Sequence, residues 1–225
     1  MLLGRLDILL IPGLLLALWA QWRLLGTYRT WSARRTQRDT SGALAAREIL
    51  DAAGLQGVPV ERTRGYLTDH YDPQKRALRL SGEVHDGDSL AAVGIAAHEA
   101  GHAVQHKLAY WPMRVRMAMA PVTQFGSWAA LPLFVLGLVM RIPPLMRIGI
   151  ALFVVLLLFQ LITLPLEFDA SRRARRLLLE RGIINVQELD GVERVLSAAA
   201  WTYIAAFTMS FLQLMRLLTL GRSRR

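Results

Sequence analysis

The sequence predicts a mainly α, multi-pass membrane protein with a small α+β domain between its first two membrane helices. Three observations carry that prediction. Residues 118–140 and 148–166 contain no Asp, Glu, Lys, Arg or His, and each is long enough to cross a bilayer as a helix, which takes about 20 residues. The link between them, 141–147, is short and holds Pro143-Pro144, so the two must fold back on each other as an antiparallel hairpin. Third, the 225-residue chain is both apolar and basic: 53% of it is hydrophobic, its formal net charge is +10 and its mean hydropathy is +0.31. That is too apolar for an ordinary soluble nucleic-acid binder despite a pI near 11.1, so membrane lipid is the expected neighbour and no nucleic-acid partner is expected. The absence of cysteine excludes a disulfide framework, thiol catalysis and cysteine-ligated metal centres.

Taken in order, residues 1–25 read as a retained transmembrane signal anchor. Their apolar stretch, 8–22, is short, but Leu2, Leu3, Leu6, Leu24 and Leu25 extend it, Arg5 and Arg23 can snorkel, and Trp19 and Trp22 suit an interface. The rival reading is a cleaved signal peptide, but no clear small-x-small cleavage site follows the apolar core. Residues 26–117 have the composition of a small folded domain. Within it, 41–53 reads as a helix, with Ser41 as N-cap, Leu44, Ile49 and Leu50 on an apolar face, and Gly54 past its end. Short strands are expected at 58–60, 65–67 and 77–80, the last two joined as a hairpin by a turn at Asp72-Pro73. Ser89 then opens an Ala-rich helix to about His106, buried on most sides.

The hairpin, 118–166, follows, and 167–194 forms a further helix and polar segment. Residues 195–225 hold a last apolar helix and a basic tail. In that helix 195–215 is charge-free but carries Ser197, Thr202, Tyr203, Thr208, Ser210 and Gln213, so it either crosses the bilayer or lies against the protein. Arginines set the orientation, because cytoplasmic loops near spans are enriched in positive charge. Arg23, Arg29, Arg34, Arg35, Arg38 and Arg47 follow the first span and Arg172, Arg173, Arg175, Arg176 and Arg181 the third, whereas the hairpin link has Arg141 and Arg147. Both polar regions are therefore expected in the cytoplasm. A crossing fourth segment would put Arg222, Arg224 and Arg225 outside, against the same rule.

The chemistry lies in His98-Glu99-Ala100-Gly101-His102, inside the 89–106 helix. Residues four apart share a helix face, so two imidazoles can bind one Zn2+ while Glu99 reaches a water at the metal's open position. The metal polarises a peptide carbonyl and lowers the pKa of the water, and the glutamate moves the water proton to the leaving amine. Gly101 costs up to ~1 kcal/mol mid-helix relative to Ala, so something is expected close to the backbone there.

A catalytic zinc keeps three protein ligands. His106 lies one turn beyond His102, far for a single tetrahedral ion, and reads as structural or as a neighbour of the ligands. Glu167, at the end of the third span, is the better third ligand. Two crossings return it to the side of His102, and a carboxylate against a hydrocarbon span is expensive unless paired or ligating. The alternative is an interfacial glutamate paired with Arg172 or Arg173. His70, Tyr71, His85 and Tyr203 are the residue types available to stabilise an oxyanion, and the 77–80 strand is a candidate edge for an extended peptide.

The core Ala-Ala-His-Glu-Ala-Gly-His-Ala-Val-Gln-His at 96–106, together with Glu-Phe-Asp-Ala-Ser-Arg-Arg-Ala at 167–174, resembles the YugP-type neutral zinc metallopeptidases of bacterial membranes. Tyr71-Asp72-Pro73, Leu78-Arg79-Leu80-Ser81 and Ala200-Trp201-Thr202-Tyr203 also fit, so the resemblance covers most of the chain. It implies a multi-pass gluzincin-like protease whose zincin-like domain carries the metal helix, with His98, His102 and Glu167 as zinc ligands and Glu99 as general base. More distantly the pattern is similar to membrane metalloproteases of the HtpX and CAAX-prenyl types, whose third-ligand motif is Glu-x-x-x-Asp. Here Ser171 holds the Asp position and Asp169 falls elsewhere on the helix, so either is a candidate partner for the zinc histidines.

The function expected is a membrane-embedded zinc-dependent endopeptidase, its active site on the cytoplasmic side, acting on peptides or membrane-protein segments. The rival is a membrane scaffold or adaptor with a structural or vestigial zinc site and an arginine-rich face for anionic lipid.

Overall fold

A computed structural model describes residues 7–222. Leu2, Leu3, Arg5, Leu6, Arg224 and Arg225, used above for the anchor and the basic tail, lie outside the described residues. A 3-10 turn, Ile8–Leu10, leads into α1 (Ile11–Ser32). Then come α2 (Gly42–Ala52), β1 (Val60–Thr63), β2 (His70–Asp72), β3 (Ala77–Ser81), α3 (Gly82–Asp86) and α4 (Leu90–Lys107). Three long helices close the chain: α5 (Trp111–Val139), α6 (Pro143–Glu180) and α7 (Val186–Arg222). The chain divides into two compact units, a helical one from the described parts of 1–21, 114–165 and 201–225, and a mixed one from 22–113 and 166–200.

In the helical unit α5 and α6 form the hairpin. Only residues 140–142 turn the chain, Arg141 taking a φ of 56°, and α6 opens on Pro143, where the missing N–H costs nothing. The two helices approach closely: a Cβ on Gly137 would lie 2.6 Å from the Met146 amide nitrogen, the small-residue contact that membrane helices use. Phe134, Met146, Leu217 and Leu220 form a buried cluster that joins the last turns of α7 to the hairpin near its link.

Helix α1 runs antiparallel to α7. Asp7 pairs with Arg216, Gly13 lies against Met209 and Leu212, and the Trp19 ring meets Trp201 edge-on at 5.2 Å. Trp201 to Leu220 is therefore one continuous helical run with α1 and the hairpin as neighbours, about 28 Å at 1.5 Å per residue, close to the hydrocarbon thickness. Among the described residues four helices are long and apolar enough to cross a membrane, Ile8–Ser32, Trp111–Val139, Pro143–Glu180 and Val186–Arg222. The segment 195–215 is the middle of the fourth.

The mixed unit follows the sequence in its helices and departs from it in its strands. Ser41 Oγ accepts from the Leu44 amide at 3.3 Å and Ser89 Oγ from the Ala92 amide at 3.1 Å, so both predicted N-caps open their helices. The buried stripe of α2 is Gly42, Ala45, Ala46, Ile49 and Leu50. Leu44, expected on that face, falls between the rows of the 3.6-residue period and is 62% exposed.

The sheet order is β1-β3-β2, with β3 parallel to β1 and antiparallel to β2. The expected strand at 65–67 does not form, because Gly65 (φ 108°) and Leu67 (φ 53°) take left-handed backbone that no strand admits. The partner of β3 is instead His70–Asp72, and the 58–60 strand starts at Val60. Since β3 is central, both its edges are paired, and the expectation that 77–80 offers an edge to a substrate peptide fails. The outer strands of the sheet are β1 and β2.

Candidate active site

Helix α4 presents His98 and His102 on one face, four residues apart. Helix α6 continues past the apolar stretch without a break and brings Glu167 against them. His98 Nε2 lies 3.1 Å and His102 Nε2 3.4 Å from the same oxygen, Glu167 Oε2, and the ligand atoms of the three side chains lie within 4.8 Å of one another. The close approach expected at Gly101 is α6 itself, since a Cβ there would sit 3.0 Å from the Ala170 carbonyl oxygen. The absence of a side chain lets the two helices meet where the ligands converge.

Each imidazole is held from behind. His98 Nδ1 lies 3.1 Å from Ser171 Oγ, and His102 Nδ1 lies 2.9 Å from Gln105 Oε1. The Gln105 amide nitrogen donates to the Leu166 carbonyl at 2.9 Å and to Asp169 Oδ2 at 2.8 Å, and Asp169 accepts from Arg173 Nε at 2.5 Å. The two candidate partners thus divide: Ser171 serves His98 directly, and Asp169 reaches His102 through Gln105. Arg173, the alternative partner for Glu167, is engaged by Asp169. Gln105 was not anticipated from the sequence; its signal is an uncharged, fully buried amide in the last turn of an Ala-rich helix, three residues from the candidate ligand His102.

Glu99 sits at the other side of the pair. Its Oε2 accepts from the Tyr71 backbone amide on β2 at 3.0 Å. Among the oxyanion candidates, Tyr71 touches this machinery through its amide; its hydroxyl lies 3.0 Å from His106 Nδ1, which places His106 in a structural contact outside the converging His98, His102 and Glu167 group. His70 is at the Thr68 carbonyl and His85 at Asp86. Asp69, bonded to the amide and hydroxyl of Ser81, has its pKa raised by burial, with the Glu99 charge adding to it.

The electrostatics call for a cation. Glu167 is 3% exposed, and a buried carboxylate is stable only with positive charge against it. Burial, the largest single influence, disfavours the His102 imidazolium, but the charge and hydrogen bond of Glu167, with the Glu99 charge and the Gln105 hydrogen bond, together outweigh it and raise the pKa to about 9. Two imidazole nitrogens and one carboxylate oxygen, backed by hydrogen-bonded partners, are a donor set that suits Zn2+.

Residues 6–222 match the protein family described as "Putative neutral zinc metallopeptidase". The chain belongs to that family. It is also 44% identical, over 208 residues that make up 92% of each chain, to the Bacillus subtilis (strain 168) protein named "Putative membrane protease YugP". No solved structure is a significant match. Zinc is therefore the metal of this neutral zinc metallopeptidase family member, and the His98, His102 and Glu167 group can hold such an ion.

Proposed function

We propose that the protein is a membrane-embedded zinc endopeptidase in which His98, His102 and Glu167 hold the metal and Glu99 is the general base. The convergence of three donor atoms from α4 and α6, with Glu99 adjoining, carries this reading. When bound, zinc supplies Lewis acidity, polarising a peptide carbonyl and making a water acidic enough to attack near neutral pH. Glu99 takes the proton of the attacking water and passes it to the leaving amine. The Tyr71 amide holds Oε2 of that carboxylate, which fixes the side chain and leaves the proton to the other oxygen. Gln105 and Ser171 keep the imidazoles aimed at the metal.

The active site faces the cytoplasm in this reading. Glu167 directly follows an apolar stretch, the hairpin crosses twice between His102 and Glu167, and the arginines flanking these polar segments outnumber those at the hairpin link and the C-terminus. Peptides and segments of membrane proteins emerging at that surface are the substrates it suits. The test is metal analysis of the purified protein with a casein digestion and a chelator control. Chelator-sensitive cleavage with bound zinc is expected, and absent or chelator-insensitive cleavage supports a scaffold instead. In this cysteine-free chain, a single cysteine after Arg222 should label from outside the cell and one in 26–117 only once the cytoplasm is opened.

A further inference from the structure

Gln105 is fully buried, and both ends of its amide are engaged. Its nitrogen donates to two groups that can only accept, the Leu166 carbonyl and the Asp169 carboxylate. Turning the amide over would set its oxygen against both acceptors, so Oε1 must face His102. An amide oxygen only accepts; Nδ1 therefore keeps its hydrogen, and Nε2, the nitrogen that points at Glu167, is the one that gives up its proton when a metal takes its lone pair. His98 has no such constraint, because the Ser171 hydroxyl can donate or accept.

We propose that Gln105 is a positioning residue that fixes His102 in the Nε2-ligating tautomer and conveys the Asp169 charge to that ring. Asp169, held by Arg173, polarises the amide. The amide oxygen becomes a stronger acceptor and the imidazole a more basic ligand. A carboxylate thus acts on a zinc histidine that it does not touch. The proposal rests on the metal-centre reading, and its test separates the two.

Zinc dissociation constants are measured by chelator competition on the purified full chain. Gln105→Ala should weaken zinc binding by about 10–100-fold, the usual cost of losing the partner behind a ligand. Gln105→Glu, nearly the same shape, should be no better, because it sets a second carboxylate against Asp169 and the Leu166 carbonyl. Combining Gln105→Glu with Asp169→Asn restores one donor facing one acceptor and the original charge, and should recover most of the affinity.

A packing role alone predicts that Gln105→Glu is harmless and that the second change adds nothing. The near-isosteric pair keeps the test decidable if Gln105→Ala does not fold. Wild-type affinity in Gln105→Ala or Gln105→Glu, or no recovery in the double variant, overturns the inference while leaving the metal centre standing. No zinc uptake by the unsubstituted protein overturns the metal centre, and this inference with it.

Discussion

Helix α4 holds two candidate ligands and the proposed general base within five positions, whereas the polar half of α6 holds the third candidate ligand directly after a charge-free apolar stretch. Their contributions to the site differ in kind. Helix α4 supplies imidazoles that need orienting, and α6 supplies most of what orients them: the Glu167 oxygen they share, the Ser171 hydroxyl behind His98, and the Leu166 carbonyl and Asp169 carboxylate that hold Gln105. The metal motif on α4 is incomplete without α6. The contact at Gly101, with its place for a Cβ only 3.0 Å from the Ala170 carbonyl oxygen, is where the two are joined.

The largest effect should come from removing the contribution of α6. Glu167→Ala leaves two imidazoles without their shared oxygen, and zinc stoichiometry after dialysis should fall well below that of the wild type. Full retention would move the third ligand elsewhere, despite the convergence seen here.

Separating the helices is the next way to break the comparison. Gly101→Val must push α6 away or strain α4, at about 1–3 kcal/mol for overpacking, and should lower both the melting temperature and zinc affinity. Gly101→Ala sets a smaller clash against a helix-propensity gain of up to ~1 kcal/mol and should do less. Thermal melts followed by tryptophan fluorescence would rank the two, and equal stability would mean that the close approach is unimportant.

The shared oxygen also sets a pH dependence. Because Glu167, with Glu99 and Gln105, raises His102 to about 9 against the effect of burial, an incoming Zn2+ must displace a proton at neutral pH. The proton competes below that pKa, so affinity should rise with pH, by up to ~10-fold per unit for one proton. Chelator competition near pH 6.5 and 7.5 would check the sign, and a flat profile would contradict it. The smallest effect is expected for Ser171→Ala, because a hydroxyl at 3.1 Å from His98 is a neutral and replaceable partner. Its loss of zinc affinity should stay below that of Gln105→Ala, and the reverse order would invert the roles assigned to the two partners.

What could be read from the sequence follows the same division. The motif on α4, its Ser89 cap and the need for a close neighbour at Gly101 are local, and the sequence shows them. Glu167 could be reached because a carboxylate at the end of a span is costly, and chain topology put it on the right side. The hairpin and the first apolar helix were visible as runs without charge.

The support behind the ligands was not visible. That Gln105 faces Asp169 depends on how α4 lies against α6, which no single-helix period contains. The strands failed for a related reason: His70–Asp72 is too short to show alternation, while 65–67 looks apolar and yet turns through left-handed backbone. The apolar part of α7 emerged from its neighbours, since Asp7, Gly13 and Trp19 follow it from Arg216 back to Trp201.

The central claim is that one zinc is held between α4 and α6 and that Glu99 moves the proton. Glu99→Gln keeps the shape and the metal ligands but removes the base. The measurement is casein cleavage and zinc content on the same purified sample. The account predicts full zinc occupancy with cleavage reduced by about 10²–10⁴-fold; cleavage at the wild-type rate with zinc unchanged would contradict it.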